Sequence, residues 1–161
     1  MPDVFAQLMN DHRTVETLFS RFEQSQDPAV AMQICDELTV HAMLEEELVY
    51  PVLATKVGTG FASEARHEHQ EAKQLVSQIE AGVSAGNDVS GLVRELKEAV
   101  AHHVEEEENE LFPKMRNAVP RLIDQMGSDV EARKVELQGQ VAQARSLNQS
   151  TAVVSNKPVT S

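Results

Sequence analysis

The sequence holds a single cysteine, a single tyrosine and no tryptophan, with 7 glycines and 6 prolines among 161 residues. One cysteine, Cys35, excludes an internal disulfide and fits a reducing compartment. So few turn-forming and aromatic side chains argue against a strand-rich fold, while the surplus of Glu, Ala, Gln, Leu and Val favours helix. Positive charge is scarce too. Against 26 Asp+Glu there are 14 Lys+Arg, a net charge of −12, so neither nucleic acid nor an anionic membrane surface is expected as a partner, since both demand a cationic face. No apolar run approaches the ~20 residues that cross a bilayer. The opening residues, MPDVFAQLMNDH, show neither the basic start nor the apolar run of a secretory signal. These absences predict a cytoplasmic, all-α protein.

What is present is helical periodicity in four stretches. The first places Phe5, Leu8, His12, Val15, Phe19 and Phe22 on one face and ends before Gln26-Asp27-Pro28. Asp27 is a suitable N-cap and Pro28 a suitable first residue for the second, whose stripe is Ile34, Leu38, His41, Glu45, Leu48 and Val52, closed by Gly58-Thr59-Gly60. The third runs through Ala62, Ala65, His69, Ala72, Val76 and Ile79 to a break over 82–87. The fourth is capped near Asp88 or Ser90 and carries Leu92, Leu96, Val100, His103, Glu107 and Leu111. Short connections between long helices predict an up-down-up-down antiparallel four-helix bundle over 1–118. A weaker pattern at Val130, Val135, Leu137 and Val141 predicts a short accessory C-terminal helix over 119–147, and the polar residues 148–161 are expected to be a disordered tail.

The chain repeats itself. His41-Ala-Met-Leu-Glu45-Glu46-Glu47-Leu-Val-Tyr50-Pro51 aligns without gaps on His103-Val-Glu-Glu-Glu107-Glu108-Asn-Glu-Leu-Phe112-Pro113. Proline lacks a backbone donor, so each copy is expected to kink or end at the same place.

Spacing of four residues puts His41 with Glu45, and His103 with Glu107, one turn apart on one face. His12 and His69 sit on the inner stripes of the other two helices. Carboxylates left alone in an apolar core are costly, and metal ions neutralise them. Six such donors are too many for one tetrahedral zinc, and imidazole with carboxylate suits iron, manganese or zinc. Two ions, each with two histidines and both bridged by Glu45 and Glu107, use every donor and leave positions open. His67 is expected to face solvent, and the repeat selects His103 over His102. Most of the run from Glu105 to Glu108 reads as a solvated face, with Glu46 and Glu108 pointing outward or between helices. Cys35 reads as a packing residue.

These residues resemble the hemerythrin-like family of HHE cation-binding domains over about Val4 to Arg116. The resemblance rests on Asp11-His12, His41-x3-Glu45-Glu46 before Tyr50-Pro51, Glu68-His69, and His103-x3-Glu107-Glu108 before Phe112-Pro113. It implies a non-haem pair of iron ions with an oxo or hydroxo bridge, manganese or zinc being alternatives. It also implies binding of dioxygen, hydrogen peroxide or nitric oxide, with catalase-like or peroxidase-like activity, or else a non-catalytic oxygen or iron sensor or store. Oxygen-carrying members have a second histidine one turn from the first on the third helix, where this chain has Ala65 and Lys73. A substitute donor such as Glu16, Tyr50 or water is therefore expected, with Glu68 and Lys73 as further neighbours of the site. At ~100° per residue Tyr50 lies about 140° around a regular helix from Glu45, so its approach requires help from the Pro51 kink.

Overall fold

The computed structural model describes residues 2–155, every regular element of which is helical. Helix α1 spans Val4–Ser25. Asp3 starts it, its carboxylate accepting from the amides of Phe5 and Ala6 at 2.9 and 3.0 Å. Gln26 ends it in the left-handed region at φ 54°, where its amide donates to the Phe22 carbonyl. Asp27 then caps α2 (Pro28–Leu44) by accepting from the Ala29 amide.

At the repeated motif the chain widens rather than breaks. A π-turn over Glu45–Val49 joins α2 to α3 (Tyr50–Lys56), with the Tyr50 amide bonded to the Glu45 carbonyl five residues back. After α4 (Thr59–Ser84) and α5 (Ser90–Glu106), the second copy does the same. A π-turn over Glu107–Leu111 leads into α6 (Phe112–Ala118), and the Phe112 amide reaches the Glu107 carbonyl. Pro51 and Pro113 cannot donate to the carbonyls four residues before them. An inserted residue takes up that mismatch, and such bulges shift every later side chain around the axis. The expected kink is thus a duplicated π-turn.

The rods α2–α3 and α5–α6, together with α1 and α4, form a helical bundle in which α1 packs on α2 and α5, and α4 on α2 and α5. Its interior divides in two. One apolar cluster is centred on Phe5, Leu8, Leu44, Leu53 and Met115, the other on Phe19, Phe22, Ile34, Ile79 and Leu96. Between them lies a buried polar layer of Asp11, His12, His41, Glu45, His69, His103 and Glu107.

Helix α7 (Ile123–Ser155) packs on α1, α2 and the first π-turn. It is longer than the short helix expected and continues through 148–155, where a disordered tail was anticipated. Extending a formed helix costs far less than nucleating one, so polar residues follow an anchored start. The remainder of that expected tail, 156–161, lies outside the described residues. The anchor is specific: Met126, Val130 and Leu137 are buried, Gln7 donates to the Gly127 carbonyl, and a Cβ on Gly127 would lie 2.0 Å from the Pro2 carbonyl oxygen.

Candidate metal centre

All four inner-stripe histidines turn their Nε2 atoms to one place. His12 Nε2 and His41 Nε2 are 3.1 Å apart, as are His69 Nε2 and His103 Nε2. Two nitrogens that each bind one ion at ~2.1 Å, at roughly a right angle, would be ~3 Å apart. Both spacings fit that geometry.

The two carboxylates lie between the pairs. Glu45 Oε1 is 3.0 Å from His41 Nε2 and 3.2 Å from His69 Nε2. Glu107 Oε1 is 3.3 Å from both His12 Nε2 and His103 Nε2. Each glutamate therefore touches one histidine of each pair. Glu45 belongs to both buried donor groups, one with His12, His41 and Glu107, the other with His69 and His103.

The electrostatics demand positive charge here. Burial opposes charge on His41, but Glu45 and the Asp11 hydrogen bond outweigh it and push its pKa up to about 10. Burial likewise opposes charge on His103, and Glu107 overrides it to raise that imidazole far above its ordinary range. Burial pulls Glu45 upward, yet the charge of His41 leads the influences that hold it well below 4.5. Carboxylates this deep stay ionised only beside cations, and either imidazolium protons or metal ions meet that need.

The donors fit metal. Glu45 Oε2 and Glu107 Oε1 are buried and accept no hydrogen bond, as is true of the Nδ1 atoms of His12 and His69. A buried polar atom without a partner costs ~1–3 kcal/mol, and more when charged. The nitrogen and oxygen set, free of thiolate, suits iron, manganese or zinc.

A second ring of carboxylates faces the outer nitrogens. His41 Nδ1 is 3.2 Å from Asp11 Oδ2, and His103 Nδ1 is 3.2 Å from Glu68 Oε1. Glu108 and Glu46 stand 3.8 and 3.7 Å from the Nδ1 atoms of His12 and His69, beyond a direct hydrogen bond. Cations brace these acids: Lys134 on Asp11, Arg13 on Glu108, Lys73 on Glu46. Carboxylates behind ligating imidazoles fix the ring's tautomer and orientation.

The placement follows the repeat. Residue pairs Asp11-His12 and Glu68-His69 match, as do Glu46 and Glu108, so the two halves of the site are near copies. The exception is Tyr50 against Phe112. Tyr50 Oη lies 2.9 Å from His69 Nε2, 3.0 Å from His103 Nε2 and 3.1 Å from Glu107 Oε2. The π-turn brings it there, since with five residues to the turn Tyr50 stands nearly over Glu45 rather than 140° away. Phe112 instead stacks on His12, rings 6.1 Å apart and tilted by 9°.

Of the other candidates, Glu16 is exposed and pairs with Arg13, while Lys73 meets the site through Glu46. His67 and His102 are 75% and 68% exposed, which removes both from the interior. Sequence reasoning missed the bracing role of Asp11, Glu46 and Glu108, and of Lys134 on α7. The acid-histidine dipeptide at 11–12 and 68–69 was the visible signal for the first.

A family model for the hemerythrin HHE cation binding domain matches residues 3–115. The chain belongs to that family. A DNA nickase of Nostoc sp. (strain PCC 7120 / SAG 25.82 / UTEX 2576) is 35% identical over 133 residues, which are 80% of this chain and 38% of that protein. A hemerythrin-like protein of Schizosaccharomyces pombe (strain 972 / ATCC 24843) is 26% identical over 113 residues, 66% of this chain and 56% of that one. The chain thus spans well under two thirds of either relative's length. No solved structure matches it significantly. Among the described residues no helix is long and apolar enough to cross a membrane.

Proposed function

We propose that the chain is a dinuclear metal protein, holding two iron ions and reacting with small oxidants such as hydrogen peroxide, nitric oxide or dioxygen. The carrying observation is the pair of histidine couples, each 3.1 Å between Nε2 atoms, joined by two buried glutamates with unpaired oxygens. His12 and His41 would hold one ion and His69 and His103 the other, with Glu45 and Glu107 shared. Such a pair supplies exchangeable electrons and open coordination positions. Short connections and the ring of contacts among α1, α2, α4 and α5 support an up-down-up-down course around it.

This chain's residues prepare the site. The outer carboxylates orient the imidazoles, and the apolar cluster around Tyr50, with Leu8, Leu44 and Leu53, closes that side of the site against water. Tyr50 places a hydroxyl proton among Glu107 Oε2, Glu45 Oε1, His69 and His103. Burial, followed by the charges of Glu45 and Glu107, raises the phenol well above 10.0, which keeps that proton in place unless a cation draws it off. Tyr50 is the substitute for the absent second histidine of α4.

Peroxide decay and nitric oxide spectra of the iron-loaded protein test this reading. Decay well above that of free iron is expected, and neither acceleration nor a spectral response would refute it.

A sensor without turnover is favoured by one observation, the chain of contacts Lys134–Asp11–His41 that ties α7 to the site. Limited proteolysis separates the two, because a sensor should change the protection of α7 sharply when metal binds. The nickase relative's action does not carry over on present grounds, since a net charge of −12 opposes a polyanion. The lone buried thiol of Cys35 supports a cytoplasmic location.

A further inference from the structure

The layer of side chains next to the histidines is underfilled. One turn from each inner histidine, on the side away from Tyr50, stand Val15, Leu38, Ala72 and Val100. Their periodicity marks all four as core, yet Leu38, Ala72 and Val100 are only half-buried. Two turns away Phe19, Ile34 and Leu96 are buried, with Val76 at the matching place on α4. The intervening layer has a valine, a leucine, an alanine and a valine where the next has phenylalanine, isoleucine, valine and leucine, and it lines a cavity of about 460 Å³ that runs on along α4 to Glu80.

That cavity touches all four histidines but neither bridging glutamate nor Tyr50. At a liquid share of ~30 Å³ per water it has room for roughly fifteen, whereas peroxide, nitric oxide or dioxygen needs one or two. It falls within the ~300–1,000 Å³ of pockets that take organic ligands.

Its polar groups say what charge the occupant has. Asp11 is held by His41 and Lys134, Glu68 by His103, and Glu80 by Arg145 at 3.0 Å. Lys73 is held by Glu46 at 2.7 Å, and Thr39 donates to the Cys35 carbonyl. Away from the histidines the charged groups of the wall, Lys73 and Glu80, already have their counter-charges. Nothing there remains to pair a charge on the body of an occupant, and burying an unpaired charge is strongly disfavoured.

From this underfilled layer we infer that the cavity is a binding site for an organic molecule with an uncharged, apolar body among Val15, Leu38, Ala72 and Val100 and an oxygen-bearing head toward the histidines. The inference rests on the metal-centre reading and names the substrate class of the same site.

Titration calorimetry of the metal-loaded full chain with cumyl alcohol tests it, with 4-(2-hydroxypropan-2-yl)benzoate, the same alcohol bearing a carboxylate on its body, as the charged counterpart. Saturable binding of one cumyl alcohol per chain is expected, at least tenfold tighter than the carboxylate. Ala72→Phe and, on another helix, Val100→Phe should each fill the layer and weaken binding tenfold or more while metal content stays unchanged. Two metals per chain without saturable binding would overturn this inference alone, as would equal affinity for the carboxylate or undiminished binding by both variants. A wild-type chain that binds no metal would overturn the underlying reading and this inference with it.

Discussion

Tyr50 and Phe112 stand at equivalent places in the two halves of the bundle, each directly before a proline and five residues after a buried glutamate, and Tyr50 alone carries a hydroxyl into the site. A duplicated scaffold would thus offer two unequal metal positions. The position of His69 and His103 has a phenol beside it, and that of His12 and His41 has a phenyl ring.

Tyr50→Phe should therefore make the halves alike. Loading with iron should still reach about two ions per chain, with roughly tenfold weaker affinity at one of them, as for loss of a supporting contact. Any visible phenolate-to-iron absorption should vanish, and an optical titration reads both effects.

Lys134 should matter although it is far from any metal donor in sequence. Its amine sits 2.5 Å from Asp11, which faces His41 Nδ1. Lys134→Met should weaken metal binding about 10- to 100-fold, with Lys134→Arg restoring most of it. Competition with a chromophoric chelator measures this, and the other metal position should be little changed.

Asp3 ties the two ends of the family domain together, capping α1 and accepting from Arg116 at 2.7 Å. Burial raises its carboxyl pKa, but Arg116 and the amides of Ala6 and Phe5 outweigh this and hold it below 3.8. A lowered value means stabilisation present above the unfolded value and lost as pH falls through the folded one. Asp3→Ala should cost ~1 kcal/mol near neutral pH, mostly from the cap, since a partly exposed ion pair adds little. The difference between variant and wild type should shrink below about pH 3.8 in denaturant melts.

Cys35 should be inert in the folded chain. Burial, then the negative charge of Glu80, pushes its thiol up to about 12, and thiolate is the reactive form. An aromatic disulfide reagent at pH 8 should label it only after denaturation.

Much of this was legible beforehand because the same residues do local and global work. Asp27-Pro28 marks a helix start on its own chemistry, and α2 begins there. The inner stripes carried His12, His41, His69 and His103 in phase with leucine and valine, so burying the stripe necessarily gathers the imidazoles. The outcome at Pro51 was not legible. A missing backbone donor predicts a disturbance but not whether the helix bends or widens, and the widening is what turns Tyr50 inward. Helix α7 was underestimated because its contacts are dispersed. A glycine against Pro2, three buried apolar residues and a few ion pairs hold it, with no continuous stripe to read.

The central claim is that buried Glu45 and Glu107 join two histidine pairs into one dinuclear site. Metal content per chain, measured on wild type and on the Glu45→Ala, Glu107→Ala double variant after iron loading and desalting, tests it most directly. The account predicts about two ions for the wild type and a near-complete loss for a variant whose helical content is unchanged. Equal metal content in both would contradict it.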